Sequence, residues 1–124
     1  WPTNQAIESL PEVAKQMNSL PKVVFSKTLK EVTWNNTRLF NDDLISDVKK
    51  LKKEDGRDMV IFGSGRIISQ LTQHRLIDEY QFVIHPLILG EGRTMFENLE
   101  KKLKMKQTES RTFKNGNTFV RYSI

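Results

Sequence analysis

The chain has 124 residues, 37% of them hydrophobic and 28% charged, enough for one domain with a core of its own. It has no cysteine and two histidines, which excludes disulfides, thiolate metal sites and a histidine-rich metal centre. No apolar run approaches membrane-spanning length and no signal peptide is visible, so a cytoplasmic protein is expected, without metal or membrane partner. The net charge of +5 comes from lysines that are not interleaved with aromatics. They read as solvated faces rather than a nucleic-acid patch.

The chain opens at Trp1-Pro2 without an initiator methionine and reads as the later part of a longer protein or as one with a processed or trimmed start. Val13, Met17 and Leu20 lie at helical spacing after Leu10-Pro11, which predicts a short helix over 11–18 with Pro11 in its first turn. Lys22-Val23-Val24-Phe25-Ser26 is β-branched and apolar, a strand. It ends in Ser26-Lys27-Thr28, two hydroxyls and a cation with no acid. In open α/β sheets ligands bind at such carboxyl ends. Read alone, the same triplet fits a polar loop better.

Trp34 to Phe40 is a turn and a brief extended piece. Asn41 is expected to cap a helix carrying Asp42 and Asp43 in its first turn. Leu44, Val48 and Leu51 are its stripe, Lys49, Lys50, Lys52 and Lys53 its solvated end, and Gly56 its stop.

Asp58 to Leu71 is the central stretch. Met59 to Phe62 reads as a strand buried on both faces. Gly63 and Gly65 permit a tight turn. Ile67, Ile68 and Leu71 then fall on one helical stripe. The result is a helix N-terminus aimed out of a strand, a ready place for a phosphate. Ser64 adds a hydroxyl and Arg66 a charge. The third glycine of the dinucleotide fingerprint is missing, with Ile68 in its place, so a plain βα turn remains the competing reading.

Leu76 and Ile77 are expected to be buried under a connection. Tyr80 to His85 is a strand stopped by Pro86. His85 and Glu91 are the candidate proton donors, and each is also well explained as a structural or solvated residue. Arg93 to Phe96 suggests a helical turn. Leu103, Met105 and Gln107 alternate with lysines. Lys114-Asn115-Gly116-Asn117 then makes a hairpin, and Phe119 to Ile124 a returning strand. The expected fold class is α/β, a mostly parallel sheet with a C-terminal antiparallel hairpin, in one domain over 1–124.

An ordered set of segments carries a resemblance. These are Pro21 to Leu29, Trp34, Phe62-Gly63-Ser64-Gly65, Leu76-Ile77-Asp78-Glu79-Tyr80, and His85 to Gly92. Together they resemble the dihydrofolate-reductase-like superfamily, and most closely the reductase domain of the bifunctional riboflavin-biosynthesis deaminase/reductase. The resemblance covers nearly the whole chain. It implies a three-layer fold whose first strands precede Trp1, and an NADPH-dependent reductase of a small heterocycle, a pteridine or an aminopyrimidine. Gly63, Ser64, Gly65, Arg66 and Ile67 match the loop and helix start that hold the cofactor's phosphates. Ser26, Lys27 and Thr28 match the strand end beside the adenosine ribose and its 2′-phosphate. No position matches a catalytic residue, and 124 residues alone are expected to be inactive. The alternative is a non-catalytic nucleotide-binding or dimerising domain of the same fold. A homodimer is expected, without nucleic acid.

Overall fold

The computed structural model describes residues 1–97 and 99–124. They form two compact units, Trp1–Lys53 and Glu54–Ile124.

In the first unit, α1 (Asn4–Ser9) starts at Thr3, whose hydroxyl accepts from Ala6 N–H at 3.3 Å. The helix α2 (Pro11–Ser19) has Pro11 at its start, as its sequence requires. The expected stripe is only partly inward: Ala14 is buried and Met17 half-buried, whereas Val13 and Leu20 are exposed. Strands β1 (Lys22–Phe25) and β2 (Thr37–Phe40) pair in parallel, with Lys22 beside Thr37 and Phe25 beside Phe40. The rings of Phe25 and Phe40 lie 5.5 Å apart.

Lys22 ties helix to sheet. Its ammonium donates to the carbonyls of Met17, Asn18 and Leu20 at 3.0, 3.1 and 2.7 Å, neutralising the negative end of α2. It also lies 4.6 Å from the Trp34 ring centre. Trp34 Nε1–H donates to Asn18 Oδ1 at 2.8 Å.

The helix α3 (Leu44–Leu51) begins two residues later than the first good capping residue suggests. Asp43, not Asn41, is its cap, with Oδ2 accepting from Ser46 N–H at 2.7 Å. Asn41 is used elsewhere: its side-chain amide donates to Leu29 O at 3.0 Å. The helix also stops at Leu51, before Gly56 is reached. Val48 and Leu51 are buried, Leu44 is half-buried, and Lys49, Lys50, Lys52 and Lys53 are exposed, as the stripe predicts.

In the second unit, the predicted strand Met59–Phe62 is absent. The segment has no ladder partner among the described residues. Val60 is 68% and Phe62 77% exposed. An apolar run becomes a strand only where neighbouring strands take its N–H and C=O groups and cover its faces. The helix α4 (Gly65–Gln73) follows, burying Ile68, Leu71 and Thr72. Leu76 and Ile77 are half-buried.

Strand β3 (Glu79–Ile84), β4 (Lys106–Thr112) and β5 (Thr118–Ser123) make an antiparallel sheet in the order β3-β5-β4. The turn at Asn115-Gly116 joins β4 to β5, with Gly116 at φ 86°. Residues 93–96 form no helical turn, and Leu103 and Met105 precede the strand rather than belong to it. Tyr80, Phe82, Val120 and Tyr122 share the inner face, where Phe96 packs edge-on against Tyr80 and Phe82 at 5.8 and 6.3 Å. On the outer face Arg121 bridges Glu79 and Glu109, at 3.4 and 3.0 Å. The architecture is mixed α/β with parallel and antiparallel sheets, as expected, but the sheet is not mostly parallel among the described residues: only β1–β2 pair in parallel, and β3 joins the C-terminal hairpin as an antiparallel strand.

Candidate functional site

The second unit places the glycine turn as the sequence suggests. Gly63 lies at φ 62°, the left-handed region that favours glycine. Ser64 is the N-cap of α4, yet its side chain makes no capping hydrogen bond. The first-turn N–H groups at Gly65, Arg66 and Ile67 therefore receive no cap from it, and they point with the positive end of the helix dipole. Gly65 is not explained by backbone strain. A methyl group there would meet only Met95 O, at 4.0 Å, an ordinary contact. Arg66 is exposed and Ile67 half-buried, so Arg66 is the charge that can turn toward an anion.

Sequence reasoning missed Ser69. One turn after Gly65, its hydroxyl donates to Met95 O at 2.9 Å and accepts from Glu97 N–H at 3.2 Å. It fixes the 95–97 loop against the start of α4. The available signal was a small hydroxyl residue four positions after the helix start, where Ser and Thr often bond backbone groups. A hollow of about 150 Å³ lies at the other end of α4, lined by Thr72, Gln73, Arg75 and residues 99–103, away from the glycine turn.

The first unit holds the other candidate residues. Ser26 N–H continues the ladder to Phe40 O at 3.0 Å. Ser26 Oγ accepts from the N–H groups of Thr28 and Leu29 at 3.3 and 3.1 Å, closing a tight turn just past β1. Thr28 Oγ1 lies 3.4 Å from Ser26 Oγ. So Ser26 shapes the turn, and Lys27 and Thr28 are exposed on it. The Asn41 bond to Leu29 O clamps this turn to the end of β2. No spacing along the chain signals that clamp, because parallel pairing of β1 with β2 sets it.

His85 and Glu91 are exposed residues beyond β3. Tyr80 stands in a distinct environment: burial pushes its phenol above the usual tyrosine value, partly opposed by a 2.7 Å hydrogen bond with Thr72. Among the described residues, no cluster of histidine and acidic side chains could hold a metal. No helix is long and apolar enough to cross a membrane.

The chain is 34% identical over 115 residues to YyaP, an uncharacterized protein of Bacillus subtilis, covering 93% of this chain and 61% of YyaP. It is 32% identical over 62 residues to YwjB of the same organism, covering 48% of this chain and 36% of YwjB. The chain thus spans well under two thirds of either relative. In three dimensions it matches the crystal structure of a Shewanella sp. PV-4 protein provisionally assigned to riboflavin biosynthesis. The TM-score is 0.74 at 24% identity, covering 94% of this chain and 69% of that one, a shared fold. Residues 1–119 match the RibD C-terminal domain. The chain therefore belongs to the RibD C-terminal domain family, that of the reductase domain of the riboflavin-biosynthesis deaminase/reductase.

Proposed function

We propose that the protein carrying this chain is an NADPH-dependent reductase of a small heterocycle, a pteridine or an aminopyrimidine. The observation that carries the reading is the start of α4. Gly63 turns the chain, Ser64 leaves the first-turn amides without a side-chain cap, and Gly65 keeps its Cβ position unfilled, with only Met95 O near it at 4.0 Å. This fits a phosphate group, which needs N–H donors, a helix N-terminus and close backbone approach. Gly63, Ser64, Gly65, Arg66 and Ile67 would hold the cofactor's phosphates. In the first unit taken by itself, Lys27 and Thr28, presented by the Ser26 turn, are the residues that the resemblance assigns to the adenosine ribose and its 2′-phosphate. When bound, the nicotinamide supplies the hydride, so the work of the chain is to bind and orient. We extend the reading to a homodimer, supported by the edge position of β3 among the described residues and the exposed Val83 and Ile84 on it, and, from the resemblance, to the cytoplasm.

The test is a fluorescence titration of NADPH against wild type and Gly65→Val. A methyl group at Gly65 has room, so the fold should tolerate the change with little loss of stability. Affinity is expected to fall at least tenfold, because the branched side chain fills the space a phosphate would take. Equal affinities would end the reading and favour a non-catalytic domain whose glycines serve only the turn.

A further inference from the structure

We propose that Asp42 opposes Lys27 at the adenosine end of the cofactor site and narrows the preference for NADPH over NADH. The inference rests on the reading above and sharpens it. In the sequence, the end of β1 carries two hydroxyls, one cation and no acid. Folding changes that composition. β1 and β2 are parallel and in register through Phe25 and Phe40. Ser26 N–H still bonds Phe40 O at 3.0 Å, and Asn41 Nδ2 holds Leu29 O at 3.0 Å. Both strands therefore leave the sheet at one edge, and the Lys27 turn is clamped to the residue immediately before Asp42. The acid that is absent from the first strand end is supplied by the second.

Two acids follow Asn41, and the structure separates their roles. Asp43 caps α3 through Ser46 N–H at 2.7 Å, so its carboxylate is committed to the helix. Asp42 is exposed and has no part in that cap. A carboxylate at such an edge accepts hydrogen bonds from a ribose 2′-hydroxyl, whereas a cation there accommodates a 2′-phosphate. Here one residue of each kind stands on adjoining strand ends. The carboxylate repels a 2′-phosphate directly and also attracts the Lys27 ammonium that would bind it. Both effects have the same sign, so removing the charge should favour NADPH.

The experiment titrates the full chain, as wild type, Asp42→Asn and Lys27→Ala, with NADPH and with NADH at low and high salt. Asp42→Asn is expected to tighten NADPH about three- to tenfold, the scale of one solvent-exposed charge acting on a phosphate. NADH should hold or weaken. The gain should shrink at high salt, because the interaction is screened. Lys27→Ala should weaken NADPH alone. If Asp42→Asn moves both cofactors equally, or neither, while Lys27→Ala keeps its phosphate-specific effect, the role of Asp42 is overturned and the site reading stands. If Lys27→Ala also fails to distinguish the cofactors and Gly65→Val binds as wild type, the site reading falls and the inference falls with it.

Discussion

At the scale of single residues, the pair Thr72 and Tyr80 shows how a buried polar group is kept stable. Tyr80 is 5% exposed and Thr72 equally hidden, and their hydroxyls satisfy each other at 2.7 Å. Tyr80→Phe should cost about 1–2 kcal/mol in urea unfolding, since it leaves the Thr72 hydroxyl buried without its partner. The pH dependence has a definite sign. Folding raises the Tyr80 phenol above its ordinary value, chiefly by desolvation. Its contribution is therefore fully present below about pH 10 and lost as pH rises through the folded value. Wild type should lose stability more steeply than Tyr80→Phe above that pH, and parallel curves would refute the assignment. The residues of the candidate site were unequally legible. Gly63 announced its φ because glycine marks such turns, and the structure puts it at 62°. Asn41 misled, because a good capping residue ahead of two acids reads as a helix start. Its amide bonds Leu29 O, a partner that only parallel pairing brings near.

At the scale of elements, local signals sufficed wherever an element satisfies itself. The α3 stripe, the α4 stripe and the Asn115-Gly116 turn needed no distant partner to be recognised, and all three stand in the fold. Met59 to Phe62 failed for the opposite reason. Its apolar pattern states what it would do beside other strands, and none pairs with it among the described residues. Between these cases lies the join of α2 to the β1–β2 pair. Lys22 looks in sequence like one more solvated lysine at a strand start. In the fold it holds three carbonyls and lies over Trp34. Lys22→Met keeps most of the apolar stem and removes the donors. It should cost about 1–3 kcal/mol, the scale of charge-assisted hydrogen bonds to the backbone. Lys49→Met, on the exposed face of α3, should stay within about 0.5 kcal/mol. Chemical denaturation of the two variants beside wild type checks the contrast, and equal effects would show that Lys22 is a surface lysine after all.

At the scale of the molecule, apolar surface is placed where water should not be. Within the second unit, Val60, Phe62, Leu87, Ile88 and Leu89 are all at least 60% exposed, with Ile88 at 98%. The edge of β3 carries no lysine or proline, and its Val83 and Ile84, on opposite faces of the strand, are both exposed. The opposite edge is guarded: β4 is Lys106-Gln107-Thr108-Glu109-Ser110-Arg111-Thr112, interrupted by an irregularity between Gln107 and Glu109. That is how proteins blunt an edge against pairing, and β3 has none of it. The match to YyaP covers 93% of this chain but only 61% of YyaP, which is therefore longer than the stretch matched. The 124-residue chain by itself is therefore expected to self-associate. It is also expected to turn over no substrate at a useful rate, because its candidate proton donors, His85 and Glu91, are solvated. Sedimentation velocity across a concentration series would show species larger than a monomer. Steady-state NADPH oxidation with a panel of pteridines and aminopyrimidines would stay at background. Adding Lys at Val83 should reduce association by charging the open edge while the inner face of β3, with Tyr80 and Phe82, is left intact. A monodisperse monomer that oxidises NADPH with one of these substrates would show that the exposed apolar segments need no further cover and that the chain is a competent reductase alone.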